Sequence, residues 1–259
     1  MTRDAGGAPR TGVRTFDDVR ADERDRAYLP GMSSAWKMPW YDVLSWWQRA
    51  GRLHRRTVEL AGITSGQHVL DVGSGTGNLA LTVLREVPDA DVTALDPDGA
   101  ALSRAARKAR RRLRWSSRSR PRGSLTLVRG FADRLPAADA SVDHVLSSLA
   151  LHHVPMDEKR RFAAEVARVL RPGGRVTIAD LDAPAHDGGG HGGHGQGHGG
   201  HDAHRHGGHR EIGANQHRED NADGGIQRLL ADAGLADARE AARATFLDTP
   251  VLWVQARRP

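Results

Sequence analysis

VLDVGSGTGNLAL, residues 69–81, runs from a short β-branched segment through a turn holding three glycines into a second apolar run. A strand ending in Asp71 and turning through Gly73, Ser74, Gly75 and Gly77 brings bare backbone to the mouth of a sheet, where a ligand can approach closely. The motif is not the dinucleotide fingerprint, which needs Gly where Asn78 stands. Nor is it the phosphate-loop signature, because Gly-Lys-Ser/Thr is absent.

Around this turn the chain alternates strand-like runs with helical patterns. HVLDV, a helix near 78–85, DVTAL, a helix over 101–114 and LTLVRG are followed by VDHVLSSLA, a helix over about 157–170 that stops at RPGG, and RVTIADL. Such alternation predicts parallel strands joined by right-handed crossovers, hence an α/β, doubly wound sheet in a single domain. A helix near 225–233, then ARATF and VLWVQARR, predict two closing strands. Ligands bind such sheets at strand carboxyl ends, beside the point where the winding reverses.

Five regions follow from composition. Residues 1–30 read as a mobile charged tail and 31–66 as one or two helices forming an aromatic lid. The cofactor-binding core covers 67–183, a flexible Gly/His-rich insertion 184–217, and a closing helix with strands 218–259. At 259 residues one core is expected. The absence of Cys excludes disulfides, thiolate metal sites and Cys nucleophiles. The N-terminus lacks an apolar signal region and no run of eighteen apolar residues occurs, so the expectation is a cytoplasmic protein without membrane insertion.

The net charge of +6 is local. Residues 101–122 hold ten Arg or Lys and no acid, and the remainder has 28 basic against 32 acidic residues, about −4. Only Lys37, Lys108 and Lys159 are Lys among the 38 basic residues, which reads as a coding bias and weakens arguments from Arg counts.

The second strand-like run ends at Asp96, nineteen residues past Gly77, where a carboxylate can accept two hydrogen bonds from a ribose diol. Asp71 is a second acceptor, suited to a cationic group rather than to a pyrophosphate. Together they point away from NAD and towards S-adenosylmethionine. VLDVGSGTGNLAL with ALDPD, GFADRLPAADASVDHVLSSLALHHV and RVLRPGGRVTIADL resembles the class I S-adenosylmethionine-dependent methyltransferases, most closely their ubiquinone/menaquinone-type branch. That resemblance implies a Rossmann-like sheet of seven strands, the last antiparallel. It also implies that Gly73, Ser74, Gly75 and Gly77 line the methionine and ribose part, Asp71 orients the amino group, and Asp96, followed by Pro97, binds the ribose. Ala132 and Asp133 would sit at the adenine, Ser148 beside the cofactor, and Tyr41 near it from the N-terminal side.

Methyl transfer needs orientation and a dry site, with a general base only where the nucleophile carries a proton of high pKa. His152 and His153 follow the VDHVLSSLA strand and are the candidate bases. Trp36, Trp40, Trp46 and Trp47, with Tyr41, either pack the core or cover a planar or apolar acceptor.

Two other functions compete. A nucleic-acid methyltransferase could use the Arg-rich helix, but the Asn/Asp-Pro-Pro-aromatic motif of base amino-methylating enzymes is replaced by Ser147, Ser148, Leu149 and Ala150, making nucleic acid an unfavoured partner. A metal-binding protein could use His191, His194, His198, His201, His204, His206 and His209, whose spacing suits Ni or Zn. The expected reading is O- or C-methylation of a small planar or amphipathic molecule.

Overall fold

The computed structural model describes residues 12–23, 26, 40–115, 123–182, 217, 219–246 and 249–259. Among them eight strands form one sheet: β1 (Val13–Asp17), β2 (His68–Val72), β3 (Asp91–Asp96), β4 (Leu125–Arg129), β5 (Val142–Ser148), β6 (Leu170–Leu181), β7 (Ala236–Phe246) and β8 (Thr249–Arg257). Among the described residues five α-helices accompany them: α1 (Trp40–Ala61), α2 (Asn78–Glu86), α3 (Gly99–Trp115), α4 (Met156–Val169) and α5 (Gly225–Asp232). The strand order is β1-β4-β3-β2-β5-β6-β8-β7, and β8 alone runs against both neighbours. Winding proceeds outward from β2 through β3 to β4, then restarts at β5 in the other direction. The switch point therefore lies between β2 and β5.

Side-chain alternation explains the two layers. Val69, Ala94, Leu127 and Leu146 face a core shared with Val58, Leu79, Val83, Leu102 and Ala105, so α1, α2 and α3 cover one face. Leu70, Val72, Val145 and Ile178 face Phe162, Val166, Ile226 and Leu230, so α4 and α5 cover the other. In α3, Ala101, Leu102, Ala105, Ala106 and Ala109 recur at helical spacing on the buried side, while Arg104, Arg107 and Arg110 are exposed. The middle of α1 packs Ala50 and Leu53 on Ala179, Phe246 and Trp253. There the Trp253 indole donates to Thr57 Oγ1 at 2.9 Å.

The expected seven strands are present with the last antiparallel, and an eighth is added. β1 lies within residues 1–30, where the sequence reading expected a mobile tail, and pairs in parallel with β4. Backbone bonding and ions hold it more than burial does. Val13 packs against the core but Phe16 is 57% exposed, and Asp18 N donates to Arg129 O at 2.8 Å. Arg134 adds ion pairs to Asp18 at 2.7 Å and Glu23 at 3.2 Å.

Candidate active site

The glycine loop joins β2 to α2 with Gly73, Gly75 and Gly77 all at positive φ (74°, 51° and 73°). Their roles differ. A Cβ on Gly73 would lie 2.4 Å from the Ala150 Cβ, and one on Gly77 2.8 Å from the Ala105 Cβ, so these two glycines permit close packing. A Cβ on Gly75 would meet nothing within 4 Å, which leaves open space for a ligand. The loop is anchored to β3: Gly73 N and Ser74 N donate to Leu95 O (2.9 and 3.0 Å), and Gly75 N to Asp96 Oδ2 (2.7 Å).

This loop forms one wall of a cavity of about 450 Å³ at the carboxyl ends of β2, β3, β4 and β5. Asp71, Gly73, Ser74, Gly75, Asp96 and Pro97 line it. So do Ala132 and Ser148, and His153 stands on the wall formed after β5. Gly77 is not on the wall, a correction that follows from its place as the residue preceding α2 and from its contact with α3.

Two acids are buried beside the loop. Asp71 is 1% exposed, and its Oδ2 accepts from Ala80 N at 3.0 Å, satisfying a first-turn amide of α2 that Gly77 has no side chain to reach. Burial pushes its carboxyl up to about 7, with the charge of Asp96 adding to the effect. Asp96 accepts from Gly75 N and Asp98 N, yet burial still raises it to about 6. The hydroxyls of Ser74, Ser147 and Ser148 are buried on this cavity with no hydrogen-bond partner among the described residues. Buried polar groups are rarely left so. An adenosine with an amino-acid tail, rich in donors and acceptors, fits such a wall.

The segment after β5 is braced from behind by Asp180, which is 0% exposed. Its Oδ2 accepts from Ala150 N (3.1 Å) and Leu151 N (2.7 Å), and its Oδ1 lies 2.7 Å from His152 Nδ1 and from Leu181 N. Burial alone would raise this carboxyl, but His152 and the backbone amides hold it below its ordinary value. His152 is thus committed to Asp180 and lies outside the cavity wall. Of the two candidate bases, only His153 lines the cavity.

Asp133 also departs from expectation. It is absent from the wall, and Arg26 Nη1 donates to both of its oxygens at 3.0 and 2.9 Å, with Arg161 Nε at 3.5 Å. A carboxylate so engaged is turned to ion pairing rather than to the cavity. Tyr41, Trp40, Trp46 and Trp47 lie in α1, but their side chains, like Trp36 and the seven histidines from His191 to His209, lie outside the described residues. Among the described residues no group of three or more His, Cys, Asp or Glu could hold a metal. No described helix is long and apolar enough to cross a membrane.

Several wall residues were not singled out from the sequence. His54 enters from α1, one helical turn past Ala50, and that spacing was the available signal. Burial, then the nearby Lys108 charge, lowers His54 to about 4. Lys108 does not line the cavity but reaches the wall residues Thr76 (Oγ1, 2.8 Å) and Asn78 (Oδ1, 2.7 Å), and burial with Arg112 and Arg104 lowers it to about 8. Lys159 is buried in α4 and donates to His217 O, Asn221 Oδ1 and Asp220 Oδ2 (2.8, 2.9 and 3.2 Å). It thereby seats His217 on the wall, a contact with no local sequence signature.

Residues 69–174 match a family model described as a methyltransferase domain. The chain is 29% identical over 179 residues to the ubiquinone/menaquinone biosynthesis C-methyltransferase UbiE of Rubrivivax gelatinosus, covering 67% of this chain and 62% of that one. It is 40% identical over 129 residues to a phthiotriol/phenolphthiotriol dimycocerosates methyltransferase of Mycobacterium tuberculosis, covering 50% and 43%. The chain thus spans less than two thirds of the length of either relative. The [4+2]-cyclase SpnF shares the fold, with a TM-score of 0.60 at 19% identity over 81% of each chain.

Proposed function

We propose that the chain is a class I S-adenosylmethionine-dependent methyltransferase, a reading supported by its methyltransferase-domain match and methyltransferase relatives, and that it moves a methyl group from that cofactor to oxygen or carbon of a small planar or amphipathic acceptor. The reading is carried by one juxtaposition: open backbone at Gly75, the buried acids Asp71 and Asp96, and unsatisfied serine hydroxyls on a single cavity. When bound, the cofactor supplies a methyl group on a cationic sulfur, set for in-line displacement.

The chain's own part is to hold and to exclude. Asp96 accepts from the ribose hydroxyls while keeping the Gly75 and Asp98 amides. Asp71 keeps Oδ2 on Ala80 N and presents Oδ1 to the amino group. Phe131 and Ala132, just after β4, flank the adenine, and the apolar walls from Leu149, Leu151 and Phe162 keep water from the reacting atoms. His153 receives the acceptor's proton where the nucleophile is a hydroxyl or an activated carbon. The names of the quinone- and dimycocerosate-methylating relatives favour a lipid-soluble acceptor.

The test is a transfer assay with methyl-labelled cofactor across quinones, phenols and hydroxylated lipids, with S-adenosylhomocysteine binding measured in parallel. Binding with transfer to one class supports the reading; a folded protein that binds no S-adenosylhomocysteine overturns it. Ni or Zn at the histidines from His191 to His209, a cytoplasmic setting and the absence of a nucleic-acid partner belong to this proposal on sequence grounds. Repeating the assay with chelator and with added Ni or Zn tests the metal.

A further inference from the structure

One guanidinium joins two residues of the cavity wall, Phe131 and Glu158. The chain arrives there from β1: Asp18 is bonded to the end of β4, Arg134 grips Asp18 and Glu23, and Arg26 lies beyond. Besides its two bonds to Asp133, Arg26 places Nη2 2.8 Å from Glu158 Oε2 and its guanidinium carbon 4.4 Å from the centre of the Phe131 ring. Phe131 follows β4 and Glu158 opens α4; both line the cavity, whereas Asp133 does not. A single planar cation therefore fastens two separate walls together. Its fork satisfies both carboxylates and lies over the ring at once, which a point-charged ammonium could not reproduce.

We propose that Arg26 is a positioning residue of the cofactor site, clasping its adenine end shut through Asp133 and Glu158, and that Asp133 in this chain serves the clasp instead of receiving the adenine amino group. This rests on the cofactor reading above. A ligand held beneath the clasp leaves only when the Phe131 and Glu158 walls separate, so the clasp acts mainly on dissociation. Because Asp133 seats the guanidinium that also holds Glu158 and Phe131, losing either Arg26 or Asp133 opens the same clasp.

The test uses the full chain, stopped-flow and equilibrium binding, and two probes: S-adenosylhomocysteine and its deaminated analogue S-inosylhomocysteine. Arg26→Gln and Asp133→Asn should each raise the dissociation rate of S-adenosylhomocysteine about tenfold, the size expected for losing a charge-assisted contact. The double variant should be no worse than either single, Arg26→Lys should behave like Arg26→Gln, and the preference for the adenine probe should stay at its wild-type value in all of them. A reduced adenine preference in Asp133→Asn alone, additive losses, or tighter binding by Arg26→Gln overturns the proposal. So does a lowered Tm with an unchanged dissociation rate, which would mark a purely structural contact. Wild-type binding with indifferent variants removes the clasp alone; wild-type failure to bind either probe removes the cofactor reading and the clasp with it.

Discussion

Asp96→Asn separates two consequences of burying a carboxylate where a ribose is to bind. Asp96 is 9% exposed, and burial holds it at about 6 although two backbone amides favour its ionised form. The distance from its ordinary value of 3.8 corresponds to about 3 kcal/mol in favour of the neutral acid. A carboxyl raised by folding contributes stability that is complete below about pH 4 and lost as pH rises through about 6. Asn does not ionise. Relative to wild type, the unliganded variant should therefore gain about 3 kcal/mol between about pH 4 and pH 8, read by urea denaturation. Cofactor binding runs the other way, because ribose hydroxyls donate best to the ionised acid. Wild-type affinity for S-adenosylhomocysteine should weaken as pH falls below about 6. The variant should bind about ten- to a hundredfold more weakly at about pH 8, with little pH dependence, since hydrogen bonds to a charged acceptor are worth about 1.5–3 kcal/mol. Calorimetric titration across that range reads both. Wild-type affinity in the folded variant at about pH 8, or a stability difference indifferent to pH, refutes the assignment.

His153→Ala should lower turnover at least about a hundredfold with cofactor affinity unchanged. His152→Ala should instead destabilise the fold by about 3 kcal/mol, because the Asp180 charge loses its buried partner; equal effects on turnover from both would refute the division of roles. Gly73→Ala meets both a positive φ and the Ala150 side chain, so its Tm should fall sharply, whereas Gly75→Ala meets only the backbone strain of its positive φ. In the latter, S-adenosylhomocysteine affinity should drop well before stability does, as differential scanning calorimetry beside titration would reveal. Deleting residues 188–208 should leave the fold and S-adenosylhomocysteine affinity nearly intact while abolishing Ni or Zn uptake, checked by metal analysis after dialysis.

The central strands were legible because each buries an alternating or continuous apolar set between helices of matching period. Val69 and Leu70 point to opposite cores, and Ala105 and Ala109 recur on one face of α3. β1 was not legible: VRTFD contributes a single packed side chain, Val13, and its ladder to β4 is a backbone property with no pattern in side chains. The glycine loop, Asp71 and Asp96 could be found because their chemistry is local in sequence. Position alone could not separate His152 from His153, since the difference lies in Asp180, 28 residues further on. The engagement of Asp133 by Arg26 joins residues 107 apart, and no spacing rule reaches that far.

The anchoring of the glycine loop to β3 has a thermodynamic corollary. Gly73 and Ser74 both donate to the Leu95 carbonyl and Gly75 donates to Asp96 without any ligand. The entropy lost in ordering those residues is therefore spent when the chain folds, not when a guest arrives. Association at this end should carry little heat-capacity change from local ordering. Evolution of a new guest would leave the loop alone and act on the walls that side chains build, since a change at Gly73 registers first as a folding defect.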